Sequence, residues 1–135
     1  MDDKRDTGRL IMKEVLGEHY FALRDASTTA FNRPLREFSE ENCFGDVWNR
    51  PGLERKTRSL ILIGMLTALN RVTEMRIHVC AAINNGCTVG EIQEVLYQTA
   101  IYCGLPAAVE SFKVAEDVLR ELKLLPEAVK QPEPL

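Results

Sequence analysis

Glu74 and His78 are the two residues whose types and spacing could support acid–base chemistry. They stand four positions apart in a segment with a helical pattern, so their side chains should share one face and be able to touch. A neighbouring carboxylate orients an imidazole and raises its basicity, whereas burial lowers it. The pair alone leaves two interpretations open, because a Glu–His pair at this spacing more often lies on a solvated helix face than in a catalytic site.

Several arginines lie close to this pair in the sequence. Arg50 precedes a Pro-Gly turn, Arg58 lies near the start of a predicted helix, and Arg71 lies between that helix and the one that carries Glu74. A guanidinium group can bind a carboxylate through two parallel hydrogen bonds, which a lysine cannot do. These arginines are candidates to bind an anionic ligand, although we expect half or more of the arginines in this region to form surface or intersubunit salt bridges.

The composition excludes several other classes of protein. The chain has 135 residues, of which 45% are hydrophobic, so it suits a single domain that buries a core. Its net charge of −3 gives no basic face for nucleic acid. The longest apolar run, Leu60 to Leu66, is too short to cross a membrane, and the charged N-terminus lacks an apolar signal core. We therefore expect a cytoplasmic protein without nucleic-acid or membrane partners.

The four cysteines do not predict a metal or redox centre. Cys43, Cys80, Cys87 and Cys103 form no CxxC pair, so we interpret them as small buried hydrophobic residues. His78 and Cys80 are close in sequence, but side chains two positions apart on a helix point in different directions. We expect no bound metal.

The helices that must position these residues can be predicted from periodicity and end signals. Successive helices are expected over 5–16, within 19–31 and within 35–44, and a strongly apolar, central helix over 54–70. Thr73 is the expected N-cap of the helix that carries Glu74, and Thr88 with Glu91 forms a capping box that opens the next helix. A last helix begins near Pro106. The prediction is an all-α bundle of about six helices in one domain, 1–125, with a flexible tail, 126–135.

Four stretches together resemble one enzyme family. They are FGDVWNRPGL (44–53), RKTRSLILIGMLTALNR (55–71), EMRIHVCAAINNGCT (74–88) and EIQEVLYQTAIYCGLPAAVESFKVAEDVL (91–119). Together they are similar to the 4-carboxymuconolactone decarboxylases, within the alkylhydroperoxidase-like superfamily, and the resemblance covers about residues 8 to 123. It implies an all-helical subunit that assembles as a homohexamer, expected to be a trimer of dimers.

The resemblance also implies a reaction and roles for the candidate residues. The substrate would be an unsaturated lactone dicarboxylate, which loses carbon dioxide in the protocatechuate branch of aromatic catabolism. Because the lactone can accept the electrons of the broken bond, no cofactor is implied. His78 would be the acid or hydrogen-bond donor and Glu74 its partner, while Arg58, Arg71 and, from a neighbouring subunit, Arg50 would bind the substrate.

Three alternatives remain at this stage. Alkylhydroperoxidase-like members of the superfamily carry a CxxC pair whose positions fall here near Arg71 and Glu74, and neither is cysteine. This disfavours a thiol-dependent peroxidase, which needs an attacking thiolate and usually a resolving thiol. The other two alternatives are a decarboxylase of a different lactone or β-keto acid and a helical assembly module without catalytic activity.

Overall fold

The computed structural model describes residues 3–127, which form seven α-helices and no strand. The helices are α1 (Lys4–Leu16), α2 (Glu18–Ala26), α3 (Arg33–Phe38), α4 (Arg55–Ala68), α5 (Val72–Asn84), α6 (Val89–Tyr102) and α7 (Leu105–Glu121). A π-helical turn, Ser39–Phe44, continues from α3, and a 3-10 turn, Val47–Asn49, precedes α4. The all-α prediction is therefore confirmed for these residues. Of the predicted tail, residues 128–135 lie outside the described part of the chain.

The helix ends show which local sequence signals were sufficient to predict where a helix begins. The Thr88 hydroxyl accepts a hydrogen bond from the Glu91 amide, and the Glu91 carboxylate accepts one from the Thr88 amide, so the predicted capping box is confirmed. The prediction that Thr73 caps α5 was wrong. Arg71 is the N-cap, without a side-chain hydrogen bond. Asn70 reverses the chain with a φ of 58°, so the helix starts before Thr73 is reached.

Two hydrophobic clusters hold the helices together. The larger one lies among α4, α5, α6 and α7 and is built on side chains that are almost fully buried, including Ile63, Met75, Val79, Ile92 and Leu96. The smaller one packs α1 against the turns that precede α4 and includes Val15, Phe44 and Trp48. The Phe44 and Trp48 rings stack with centroids 6.2 Å apart within this smaller cluster.

The expectation that α4 is buried on all sides is only partly met. Ile63 and Leu66 are buried, but Ile61, Met65 and Leu69 are 42%, 54% and 64% exposed. They belong to a surface that we call the α4–α6–α7 apolar face. Its exposed members are Ile61, Met65, Leu69, Tyr97, Ile101, Tyr102, Leu105 and Val109. One chain thus leaves uncovered a surface that its sequence pattern marks as interior.

Candidate active site

Helices α4 and α5 pack against each other across a short connection and carry Arg58, Glu74 and His78. Arg71 lies in that connection, and Arg50 lies before α4. On α5, Met75 and Val79 point into the main core. His78 lies beside this buried stripe and is partly buried, whereas Glu74, one turn earlier, is exposed. The helix therefore places the imidazole at the boundary between core and surface, with the carboxylate on its outer side.

Burial dominates the electrostatics of His78. It lowers the pKa of the imidazole from 6.5 to about 4, and the negative charge of Glu74 opposes this shift without cancelling it. The structure forms no hydrogen bond between these two side chains, so Glu74 acts on His78 through its charge. His78 is consequently neutral near pH 7, and a neutral imidazole offers one N–H donor and one acceptor nitrogen. This favours the predicted role of hydrogen-bond donor over that of an acid protonated in the free protein.

Arg58 and Arg50 are brought together at the start of α4. Arg58 Nη2 donates a hydrogen bond to the Arg50 carbonyl oxygen at 3.3 Å. Its Nε is buried and has no hydrogen-bond partner among the described residues. A buried donor without a partner is costly, so this nitrogen is available to an acceptor that enters the site. The Arg50 side chain is exposed.

Two of the five arginines in this region form ion pairs within the described residues, which is fewer than the half expected. Arg55 pairs with Glu14 at 2.7 Å and Arg76 pairs with Glu121 at 2.8 Å, so both hold neighbouring helices together. Arg71 is exposed at the N-terminal end of α5, and the structure gives it no ion pair or side-chain hydrogen bond within residues 3–127. No contact given by the structure joins Arg71 to His78.

Two asparagines at the end of α5 have a role that the sequence did not indicate. Gly86 has a φ of +95°, a left-handed backbone conformation that favours glycine after the end of a helix. In addition, the Asn84 side-chain amide donates to the carbonyl oxygens of Glu14 and Val15, and that of Asn85 donates to the Ser59 hydroxyl at 3.0 Å. These bonds tie α5 to both α1 and α4 and so fix the frame of the candidate site.

The site is open in a single subunit. An apolar cavity of about 520 Å³ lies between α6 and α7, and its lining includes none of the five predicted site residues. A second, polar cavity beside α1 also includes none of them. Glu74, His78 and the three arginines therefore lie outside both of these cavities.

The cysteines do not gather in this region as a redox pair. All four are free: Cys80 is exposed, Cys43 and Cys103 are partly buried, and Cys87 is buried. Burial raises the pKa of the Cys43 and Cys87 thiols, which disfavours their thiolate forms near neutral pH. Within residues 3–127 no three His, Cys, Asp or Glu side chains are grouped so that they could hold a metal ion. None of the helices in this part of the chain is long and apolar enough to span a membrane.

Residues 34–117 match the carboxymuconolactone decarboxylase family. The chain belongs to this family. The match includes α4 and α5 in full, and thus every residue predicted for the site. The family resemblance found in the sequence is therefore confirmed.

Curated relatives extend the similarity over nearly the whole chain. A 4-carboxymuconolactone decarboxylase from Acinetobacter baylyi is 39% identical over 122 residues, which cover 90% of this chain and 91% of the relative. Nitrosuccinic acid decarboxylase npaB from Metarhizium robertsii is 40% identical over 119 residues, covering 87% and 82%. An uncharacterized 15.0 kDa protein from Paracoccus denitrificans is 37% identical over 83 residues, covering 60% and 62%.

Proposed function

We propose that this protein is a carboxy-lyase that converts 4-carboxymuconolactone to the enol-lactone of β-ketoadipate and releases carbon dioxide. The observation that carries the proposal is the 39% identity to a 4-carboxymuconolactone decarboxylase across 90% of the chain. The neutral, partly buried His78 beside Glu74, close in sequence to arginines on α4 and at the start of α5, supports it chemically. We assign the reaction to protocatechuate breakdown in the cytoplasm, a reducing compartment that suits four free cysteines.

The substrate supplies its own electron sink. The bond between the γ carbon and the departing carboxylate breaks, and its electron pair moves through the ring alkene to the lactone carbonyl oxygen. Carbon dioxide leaves, and the resulting dienolate takes up one proton at the α carbon. The protein must bind the retained carboxylate, stabilise the charge that grows on the lactone oxygen and deliver that proton.

In this proposal His78 starts the reaction as a neutral hydrogen-bond donor to the lactone oxygen. A dianionic substrate raises the pKa of the nearby imidazole, which can then take a proton from solvent and pass it to the α carbon. Glu74 favours this protonated state. Arg58, through its unpartnered Nε, and Arg71 hold the acetate arm or the lactone oxygen, because a firm grip on the departing carboxylate would stabilise the ground state and slow the reaction. Arg50 is assigned to the same role from a neighbouring subunit.

The assembly that we propose is a homohexamer arranged as a trimer of dimers. The α4–α6–α7 apolar face is unusually exposed for a single chain, with Ile101 and Tyr102 81% and 82% exposed. A second exposed apolar group lies on α2, α3 and the loop between them, where Phe31 and Leu35 are 96% and 72% exposed. Two separate apolar surfaces suit an assembly with two kinds of subunit contact, which a trimer of dimers requires.

Turnover of synthetic 4-carboxymuconolactone, followed by carbon dioxide release and loss of lactone absorbance, tests the proposal. We expect His78→Asn to reduce kcat by about 10²–10⁴-fold, the usual contribution of an acid–base group. Glu74→Gln should reduce kcat less and shift its pH profile. Arg76→Gln is the matched control, because Arg76 lies on the same helix but pairs with Glu121. Wild-type turnover by folded His78→Asn protein would remove the assignment of His78.

The similarity to nitrosuccinic acid decarboxylase npaB indicates an alternative substrate for this chain. Nitrosuccinic acid also places a carboxylate beside a group, here nitro, that can accept the electrons of the broken bond, and its decarboxylase is 40% identical to this chain. The two substrates should be compared by kcat/KM in the same preparation. A higher value for nitrosuccinate would retain the carboxy-lyase assignment and overturn the lactone as the preferred substrate.

A further inference from the structure

A polar cavity of about 490 Å³ lies beside α1, α2 and α3, on helices other than the α4–α5 pair that carries the proposed active site. Its size lies within the range of small-molecule sites. All of its lining residues are polar: Arg5, Arg9, Asp25, Thr28, Arg33, Arg36, Glu37 and Glu40. None of the residues proposed for catalysis or substrate binding is among them, so this cavity has no role in the proposed reaction.

The carboxylates of the cavity already have cationic partners. Glu40, only 2% exposed, lies in the π-helical turn and accepts a hydrogen bond from Arg9 Nη1 at 3.0 Å, with Arg24 Nη1 at 3.7 Å. Asp25 also pairs with Arg9, which lowers the pKa of that carboxyl group. Glu37 lies 3.5 Å from Arg5. Arg5, Arg9 and Arg24 are thus sufficient to neutralise the three acidic side chains.

Two further arginines remain without an acidic partner among the described residues. Arg36 Nη1 donates only to neutral oxygens: the Ser27 and Thr28 hydroxyls, at 3.0 and 2.9 Å, and the Arg24 carbonyl oxygen. Arg33 is exposed and forms no side-chain hydrogen bond or ion pair in the described part of the chain. Burial lowers the pKa of Arg24, and the nearby positive charge of Arg36 lowers it further, so these two guanidinium groups repel each other. The lining has four arginines and three carboxylates, and with Arg24, which pairs with Glu40 but is not part of the lining, the cluster carries two positive charges in excess of its carboxylates.

We propose that this cavity is an anion-binding site that takes a small dianion, with Arg33 and Arg36 as its charged ligands. A guanidinium fork matches the paired oxygens of a carboxylate or phosphate group, and two forks match a ligand with two negative charges. The Thr28 hydroxyl donates to the Arg24 carbonyl oxygen at 3.3 Å and accepts from Arg36, so it holds that guanidinium group in place at the same wall. Inorganic phosphate and a short dicarboxylate share this chemistry. Either ligand would connect the α2–α3 loop to α3 and relieve the repulsion between Arg24 and Arg36.

Ligand-dependent thermal unfolding of the full chain tests this site, because a ligand that binds only the folded state raises Tm increasingly as its free concentration exceeds its dissociation constant. Sodium phosphate, disodium succinate and sodium chloride are compared at equal ionic strength, and dissociation constants are measured by calorimetry. We expect one or both dianions, but not chloride, to raise Tm. The dianion with the lower dissociation constant identifies whether the site takes a phosphate or a dicarboxylate. Equal Tm values in all three salts would overturn the proposal.

Arg33→Gln is the informative variant, because Arg33 is exposed and its loss leaves the buried network around Glu40 intact. We expect it to weaken dianion binding about tenfold, the effect of one lost charge-assisted hydrogen bond. Arg76→Gln, at a salt bridge between α5 and α7, should bind as the wild type does. A general stabilisation by phosphate through exclusion from the protein surface would be the same in both variants, and that result would contradict the proposal.

Binding at the active site must be separated from binding at this cavity, since both contain arginines. Arg58→Gln should retain the dianion effect on Tm, and Arg33→Gln should retain the wild-type kcat and KM for the lactone. If instead Arg58→Gln abolishes the effect and Arg33→Gln does not, the dianion binds at the proposed active site and the separate site does not exist. The Tm measurements do not depend on whether the lactone is the true substrate.

Discussion

The side-chain amide of Asn85, at the end of α5, donates a hydrogen bond to the hydroxyl of Ser59, in the first turns of α4, at 3.0 Å. Ser59 is 2% exposed, so the bond is shielded from water. It fixes the relative position of the two antiparallel helices that carry Arg58 and His78. The distance between the guanidinium and the imidazole in the candidate site thus depends on a contact outside the site.

We predict that the effects of Asn85→Ala and Ser59→Ala on the free energy of unfolding are not additive. A buried hydrogen bond contributes about 0.5–1.5 kcal/mol, so the two changes together should destabilise the protein less than the sum of the single changes by about 1 kcal/mol. The measurement is a double-mutant cycle by urea unfolding at constant protein concentration. Additive free energies of unfolding would show that the contact does not hold α4 and α5 together.

The pKa of His78 predicts a specific pH dependence of stability. Because folding lowers this pKa from 6.5 to about 4, the unfolded chain binds more protons than the folded one between these values. The free energy of unfolding should therefore fall as the pH drops from 6.5 to 4 and level off below, by about 3 kcal/mol from this group. In His78→Gln this contribution is absent, so the stability difference between the two proteins should change by that amount between neutral pH and about pH 4. A constant difference would mean that His78 is not desolvated in the folded protein.

The features that were predictable from sequence are those set by nearby residues. The Thr88–Glu91 capping box spans three positions, and Gly17 and Gly86 end α1 and α5 with positive φ values, so local patterns sufficed. The prediction of the α5 N-cap failed because Asn70 adopts a left-handed conformation, and the N-cap is Arg71, two residues before Thr73. The spacing also predicted that Glu74 and His78 share one helix. It could not predict the direction of the His78 pKa shift, because that direction depends on burial among other helices.

The features that escaped prediction depend on residues far apart in the sequence. Asn84 reaches the backbone of α1 across 70 residues, and Arg9 reaches Glu40 across 31. Periodicity carries no signal for such pairs, because each partner looks like an ordinary polar surface residue in its own segment. For this reason the arginine-lined cavity could not be predicted from the sequence, although the arginines themselves are evident there.

The crossing of α1 and the π-helical turn predicts a sharp difference between two helix glycines. A Cβ atom on Gly8 would lie 1.7 Å from the Glu40 carbonyl oxygen, whereas one on Gly64, in α4, would meet only Val95 Cγ1 at 3.8 Å. We expect Gly8→Ala to lower the free energy of unfolding by about 3 kcal/mol or more through overpacking. Gly64→Ala should raise it by about 0.5–1 kcal/mol through helix propensity. Chemical unfolding of both variants measures the contrast, and equal stabilities would refute the close approach at Gly8.

The α4–α6–α7 apolar face predicts which single charge should break the assembly. Ile101 is 81% exposed near the end of α6, next to the equally exposed Tyr102. A contact between subunits would therefore be needed to shield the Ile101 side chain from solvent. A glutamate at this position would bury a charge without a partner in that contact, at a cost of several kcal/mol.

We therefore expect Ile101→Glu to shift the protein to a smaller species in sedimentation velocity at micromolar concentration, with its helical content unchanged. Lys13→Glu, an exposed change on α1 outside the apolar face, should sediment as the wild type does. If Ile101→Glu also keeps the wild-type sedimentation coefficient, this face is not a subunit contact. The smaller species should also turn over the lactone more slowly, because the α4–α5 region that an adjoining subunit is proposed to complete would then stay open to solvent.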